Sequence, residues 1–171
     1  MKIKSVFVMV VVILMFIFTA SATELSKLQI KVYTQDSPNA IFIKKSVEFR
    51  FKPAYPMNDI IEDKLVLLEN LSNQAVFRMD LDKLKSLEVL ESKPVIVTLK
   101  HGKKYAFVKV RLIAKTGESS EWYWKTIGPI DKTIDDTDTK IGFIHGISEK
   151  MGLESEALIP MGEVKKIEVM D

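Results

Sequence analysis

The chain has 171 residues, with 25 Lys plus Arg, 23 Asp plus Glu and no cysteine. The lack of cysteine excludes disulfide-stapled domains, Cys-ligated zinc modules and cysteine hydrolases, and a formal charge of +2 argues against a strongly basic nucleic-acid binder. An apolar share of 47% is typical of a folded domain and not of a disordered chain.

The first 22 residues have the three parts of a secretory signal peptide. Lys2 and Lys4 form a basic start, residues 6–18 are all apolar, and small residues lead up to Ala22, after which we expect cleavage. We therefore predict an exported protein, periplasmic or secreted. If the segment were retained, it would tether the protein to a membrane. Removing 22 of the 171 residues leaves 149, enough for one domain with its own core.

Residues 23–58 are predicted to form leading strands. Apolar and polar residues alternate over 28–33 and again over 47–51, and 40–43 has the composition of a further short strand. Three prolines separate these stretches, so we expect a strand pair followed by a proline-rich crossover.

Residues 59–92 are predicted to form the first of two units. Asp59 and Glu62 resemble a helix capping box, which would begin a helix over 59–72. The alternative is a hairpin of residues 65–68 and 75–81, and we favour it because the second stretch alternates well.

A nine-residue pattern occurs twice in the chain. Residues 81–89 align with 161–169, with apolar residues three apart in both copies and identical Lys, Glu and Val at matching positions. This spacing predicts one 3₁₀ or helical turn before a strand in each copy. We therefore predict one β-rich domain over 23–171, a small barrel or sandwich of two related strand-turn-strand units. Chance similarity over nine residues is the alternative.

Residues 93–171 are predicted to form the second unit. Residues 95–99 and 105–114 read as a hairpin whose turn uses Gly102 for its positive φ. Residues 128–156 read as an insertion, with a short helix near 146–154.

The aromatic triplet Trp122, Tyr123 and Trp124 is the candidate binding surface for a ligand or partner. In a strand the two tryptophans point to one face and the tyrosine to the other. An exposed tryptophan pair would stack on sugars or on the apolar patch of a partner. Core packing is the alternative, because large aromatic residues are most often buried, and Tyr123 would then be the exposed ring.

An acidic loop is the candidate metal site. Asp131, Asp135, Asp136 and Asp138 lie within eight residues of one another, and exported proteins meet calcium, which takes several oxygen ligands. The spacing does not match an EF-hand, and two nearby lysines neutralise the loop. A solvated loop is therefore the favoured interpretation.

Catalytic motifs are absent from the sequence. It contains no Gly-x-Ser-x-Gly, HExxH or P-loop pattern. His101 and His145 would bind zinc only if the fold brought them together with an acid, and positions in turns explain both more simply.

These observations favour an exported, non-catalytic binding or assembly module. Its expected partner is another exported protein or the cell envelope, with no nucleic acid and no cofactor. One alternative is a carbohydrate-binding module that uses the same aromatic residues, and another is a metal-dependent or hydrolytic enzyme.

Overall fold

The computed structural model describes residues 28–53, 58–130 and 139–170, and in these ranges the chain is mainly β-strand. Eleven strands in the described ranges form one antiparallel sheet. They are β1 (Gln29–Thr34), β2 (Ile41–Lys52), β3 (Ile60–Glu62), β4 (Leu65–Leu68), β5 (Val76–Met79), β6 (Leu84–Thr98), β7 (Lys104–Ala114), β8 (Ser119–Ile130), β9 (Ile141–Lys150), β10 (Leu153–Pro160) and β11 (Val164–Met170). The mainly β fold class is therefore confirmed.

The strand order brings distant parts of the chain together. It runs β10-β9-β2-β1-β11-β6-β7-β8-β4-β5, and β3 pairs with β2. A further pairing joins Ile127 of β8 to Ile141 of β9. Seven strands therefore pair in a closed circuit, from β9 through β2, β1, β11, β6 and β7 to β8. Each of the seven contributes buried apolar side chains to one main core, because alternate residues of a strand point to the same face.

Two 3₁₀ turns begin the two copies of the repeated sequence pattern. They span Leu81–Lys83 and Met161–Glu163 and lead directly into β6 and β11. The first residue of each turn is buried in the main core. The turn predicted from the spacing of the apolar residues is thus confirmed in both copies.

The strands that follow the two turns pair with each other. Leu87 of β6 lies opposite Ile167 of β11, and both side chains are fully buried. These two residues occupy the same position in the repeated pattern. The flanking pairs, Lys166 with Glu88 and Glu168 with Ser86, also match each other when the two copies are exchanged. The contact between β6 and β11 therefore has a local two-fold arrangement.

The order of pairings in the first half of the chain recurs in the second half. β1 pairs with β2, as β7 pairs with β8. In the first half, β3 pairs with β2 and the next strand, β4, pairs with β8. In the second half, the start of β9 pairs with β8 and the rest of β9 pairs with β2. Each half therefore contains a strand that pairs with a strand of the other half, and the two halves share one sheet.

Two local predictions require correction. Residues 40–43 and 47–51 do not form separate strands, because the single strand β2 includes residues of both. The irregularity between them is a bulge near Ser46, where φ is 58°. The short helix predicted near residues 146–154 is wrong. That segment is the hairpin of β9 and β10, whose turn contains Gly152 at φ 78°.

The predicted signal peptide lies outside the described residues. Among the helices of the described part of the chain, none has the length and the apolar character needed to cross a membrane.

We predict that Leu87→Ala lowers the free energy of unfolding by about 2–5 kcal/mol, because it leaves a cavity at the centre of the β6–β11 contact. Leu90→Ala, three residues along the same strand but exposed, is the control and should cost about 0.5 kcal/mol or less. Urea unfolding followed by circular dichroism measures both. Equal losses would contradict this account of the core.

Candidate functional site

A second apolar cluster lies on the face of β4, β7 and β8 that is turned away from the main core. Leu67 and Trp124 pair across β4 and β8 and belong to the main core. Their neighbours Leu68 and Tyr123 also pair, and they belong to the second cluster. The same strands thus carry apolar side chains on both faces, as alternation requires of a sheet covered on two sides.

The structure separates the three residues of the aromatic triplet. Trp124 is 1% exposed and packs edge-on against Phe49 at 6.2 Å between ring centroids. Trp122 lies half-buried against the same core, packs edge-on against Phe77 at 5.3 Å, and donates a hydrogen bond from Nε1 to Ser120. Tyr123 packs half-buried against the second cluster. The predicted division between two faces is confirmed, whereas binding by the triplet stays a prediction.

A pocket of about 280 Å³ opens beside the second cluster. It brings together side chains from β3, β4 and β5, from the turn between β6 and β7, and from β7 and β8. Its lining residues are Glu62, Val66, Val76, Arg78, Leu99, His101, Tyr105, Phe107 and Lys125. Charged and aromatic groups therefore converge on an apolar wall, the arrangement expected of a binding site.

The polar centre of this pocket is an ion pair between Lys125 and Glu62. Lys125 is only 6% exposed, and its Nζ lies 2.7 Å from Oε1 of Glu62. The same Nζ lies 4.1 Å from the centroid of the Phe51 ring, a cation–π distance. Burial lowers the pKa of Lys125, because removal of water disfavours the ammonium, and the hydrogen bond to Glu62 opposes that effect.

Arg78 supplies a second cation at the rim of the pocket. It lies on β5 with an exposed side chain, and its charge also lowers the pKa of Lys125. No carboxylate of the described residues lies within ion-pair distance of Arg78, whereas Arg50 pairs with Glu48 and Arg111 with Glu121. The guanidinium of Arg78 is therefore available to a ligand.

Tyr105 and His101 form another part of the pocket wall. Their rings pack edge-on with centroids 5.8 Å apart. Burial and the nearby charge of Glu62 both raise the pKa of Tyr105, because each disfavours the phenolate. Nδ1 of His101 accepts a hydrogen bond from the backbone N–H of Lys103 at 3.3 Å, which leaves Nε2 as the donor of the neutral ring.

Glycine is required at position 128 for the Tyr105 ring to close against β8. A Cβ at Gly128 would lie 2.5 Å from Cδ1 of Tyr105, and φ at this residue is +132°, which other residues rarely adopt. The lack of a side chain at Gly128 therefore makes room for the wall of the pocket.

The other histidine lies in a different environment. His145 on β9 is buried, and its Nδ1 is 2.9 Å from Oε1 of Glu48 without the angle of a hydrogen bond. His145 is on a strand, so its predicted turn position is wrong, whereas His101 does lie in the turn before β7. Zinc binding by the two histidines gains no support, because the described residues contain no cluster of three metal-ligating side chains.

The predicted calcium ligands cannot be placed in this fold. Asp131, Asp135, Asp136 and Asp138 all lie outside the described residues. The solvated loop that the sequence favours and its calcium-binding alternative therefore both stay predictions.

Sequence reasoning missed the residues at the centre of the pocket, although one signal was present. Lys125 shares a strand face with Tyr123, and a lysine that continues an apolar strand face is a candidate for a buried cation. Its partner Glu62 is 63 positions away, and the sequence shows no local sign of their contact.

Comparisons with known proteins identify no relative. No family model, no curated protein and no solved structure matches this chain.

We predict that Glu62→Gln lowers the free energy of unfolding by about 3–5 kcal/mol, because it leaves the buried ammonium of Lys125 without a countercharge. Glu121→Gln is the control: it breaks the more exposed pair with Lys109 and should cost much less, because water screens exposed charges. Chemical unfolding of both variants at pH 7 measures the difference. A loss for Glu62→Gln no larger than that of the control would show that Lys125 does not depend on this partner.

Proposed function

We propose that this chain is an exported, non-catalytic binding module that recognises a protein partner. The recognition surface is the β5 corner, which we define as strand β5 together with the pocket around Lys125 and Glu62. The observation that carries the proposal is the position of this charged pocket directly beside an open sheet edge.

β5 is a terminal strand of the sheet. In the described part of the chain it pairs with β4 on one side and with no strand on the other. Such an edge presents unpaired backbone N–H and C=O groups, and an extended segment of a partner can add to it as a further strand. The backbone pairing supplies affinity in this mode, and neighbouring pockets supply specificity.

The side chains of β5 also favour a partner. Val76 is 41% exposed and Phe77 is 42% exposed, on opposite faces of the strand. Val76 and Arg78 line the pocket, whereas Phe77 contacts Trp122 on the other face. A partner strand at this edge would also cover apolar surface on both faces, which adds hydrophobic stabilisation to the backbone pairing.

A protein partner is favoured over a carbohydrate by the position of the tryptophans. Stacking on sugars needs an open ring face, and Trp124 is buried in the main core. Trp122 is half-buried and meets Phe77 edge-on, so the two rings do not form a flat platform. The carbohydrate-binding alternative would therefore have to rely on Tyr123 and part of Trp122.

Export is part of this proposal, as periplasmic or secreted localisation. It rests on the basic, apolar and small-residue order of residues 1–22. A cysteine-free chain folds without the disulfide chemistry that most small exported domains use, and the long antiparallel sheet provides the core instead.

We also propose that the domain consists of two related units. The repeated pattern at 81–89 and 161–169, its pairing about Leu87 and Ile167, and the recurring order of strand pairings support this. In this proposal the leading strands β1 and β2 belong to the first unit, because they pair with each other as β7 pairs with β8.

We predict that a photo-cross-linking amino acid at position 77 yields one discrete cross-linked species in cells, because a partner strand would lie against Phe77. The same amino acid at position 153 on β10, the opposite end of the sheet, is the matched control, since Leu153 is also an exposed apolar residue. Immunoblots of both variants report the products.

Specificity is tested by adding Val76→Lys, which places a charge at the proposed interface and should abolish the product at position 77. Circular dichroism verifies that the variant is folded. A product that survives this change, or equal products at 77 and 153, would argue against the β5 corner.

We predict that the protein recovered from its natural cell begins at Thr23, because cleavage is expected after Ala22. Mass spectrometry of the intact protein and of its first peptide gives the result. Recovery of a chain that retains residues 1–22 in the membrane fraction would favour the tethered alternative, and recovery from the cytoplasm would contradict export.

A further inference from the structure

We infer that the pocket at the β5 corner accepts a carboxylate carried on an apolar group, as an acidic side chain or the chain end of the partner would present it. This inference rests on the proposed function, and it adds the chemistry that the partner must carry.

The charges of the pocket are unbalanced. Its described lining contains two side-chain cations, Lys125 and Arg78, and one carboxylate, Glu62. Glu62 pairs with Lys125 at 2.7 Å, and no carboxylate of the described residues lies within ion-pair distance of Arg78. A second carboxylate would neutralise the remaining cation, and electrostatic complementarity of this kind commonly selects a partner.

The donors of the pocket fit a carboxylate. The guanidinium of Arg78 presents a planar fork of N–H groups, which matches the two oxygens of a carboxylate. Nε2 of His101 and the hydroxyl of Tyr105 are further donors among the lining residues. A group held by these donors makes short, charge-assisted hydrogen bonds.

The rest of the pocket wall would contact the apolar part of the ligand. Val66, Val76, Leu99 and Phe107 contribute hydrocarbon surface beside the charged groups. The volume of about 280 Å³ is slightly below the usual range for pockets that take drug-sized molecules. It therefore suits one side chain or a small aromatic acid.

Benzoate is the probe for this site, and benzamide is its neutral counterpart of almost the same shape. We expect benzoate to shift the NMR signals of Arg78, His101 and Tyr105 in a saturable titration of the purified protein, with benzamide at least about tenfold weaker. Inorganic phosphate is the third probe and should also bind more weakly. Equal affinity for benzoate and benzamide, or tighter binding of phosphate, would overturn the inference.

Arg78→Gln is the matching variant. It should weaken benzoate binding by about tenfold or more and benzamide binding much less, because the charge-assisted contact is made only with the carboxylate. Arg111→Gln removes an arginine on β7 that lies outside the pocket and pairs with Glu121, and should leave both affinities unchanged. Unchanged benzoate affinity in Arg78→Gln would overturn the carboxylate assignment.

The two levels of the proposal fail in different ways. If benzoate does not bind while the cross-link at position 77 still forms, the carboxylate assignment is contradicted and the proposal of a protein partner is retained. If benzoate binding depends on Arg78 but no cross-link forms, the pocket serves a small carboxylate and the proposal of a protein partner falls.

Discussion

Pairing between distant strands holds this protein together, and the contact of β6 with β11 is its centre. A chain without cysteine has no disulfide between its two halves, so hydrogen-bonded strands and buried apolar surface must hold them together. The contact places Leu87 against Ile167 and connects the β1–β2 side of the sheet to the β7–β8 side. Each of the two strands is preceded by a 3₁₀ turn whose first residue, Leu81 or Met161, is buried. This buried residue fixes where the following strand begins.

The sheet that results has apolar residues on both faces near β4 and β8, and the pocket arises from that arrangement. One face completes the main core, and the other carries the smaller cluster around Leu68 and Phe107. Lys125 is on the second face, where water is largely excluded, so its charge must be balanced locally. Glu62 on β3 neutralises this charge, and β3 lies at this position because it pairs with β2.

The functional proposal joins two features that have separate origins. The open edge of β5 comes from the end of the strand order, and the charged pocket comes from the ion pair behind it. Strand addition at an edge is tolerant of sequence, because it uses backbone groups, whereas a pocket with an uncompensated guanidinium discriminates by charge and shape. We propose that their proximity lets the β5 corner bind a partner segment and also select it.

Local residue patterns determined the hairpins and turns of this protein, and tertiary structure decided the rest. Alternation and turn residues predicted the hairpin of 65–68 with the following strand, the turn at Gly102, and the 3₁₀ turn in each nine-residue copy. The same kind of reasoning failed near 146–154, because pairing of β9 with β2 and with β10 holds this glycine-containing segment in strands. The contact of Lys125 with Glu62 and the place of Arg78 beside them depend on which strands become neighbours. Side-chain alternation is a property of successive residues, whereas strand neighbours are selected by burial over the whole chain, so the site exists only in the folded protein.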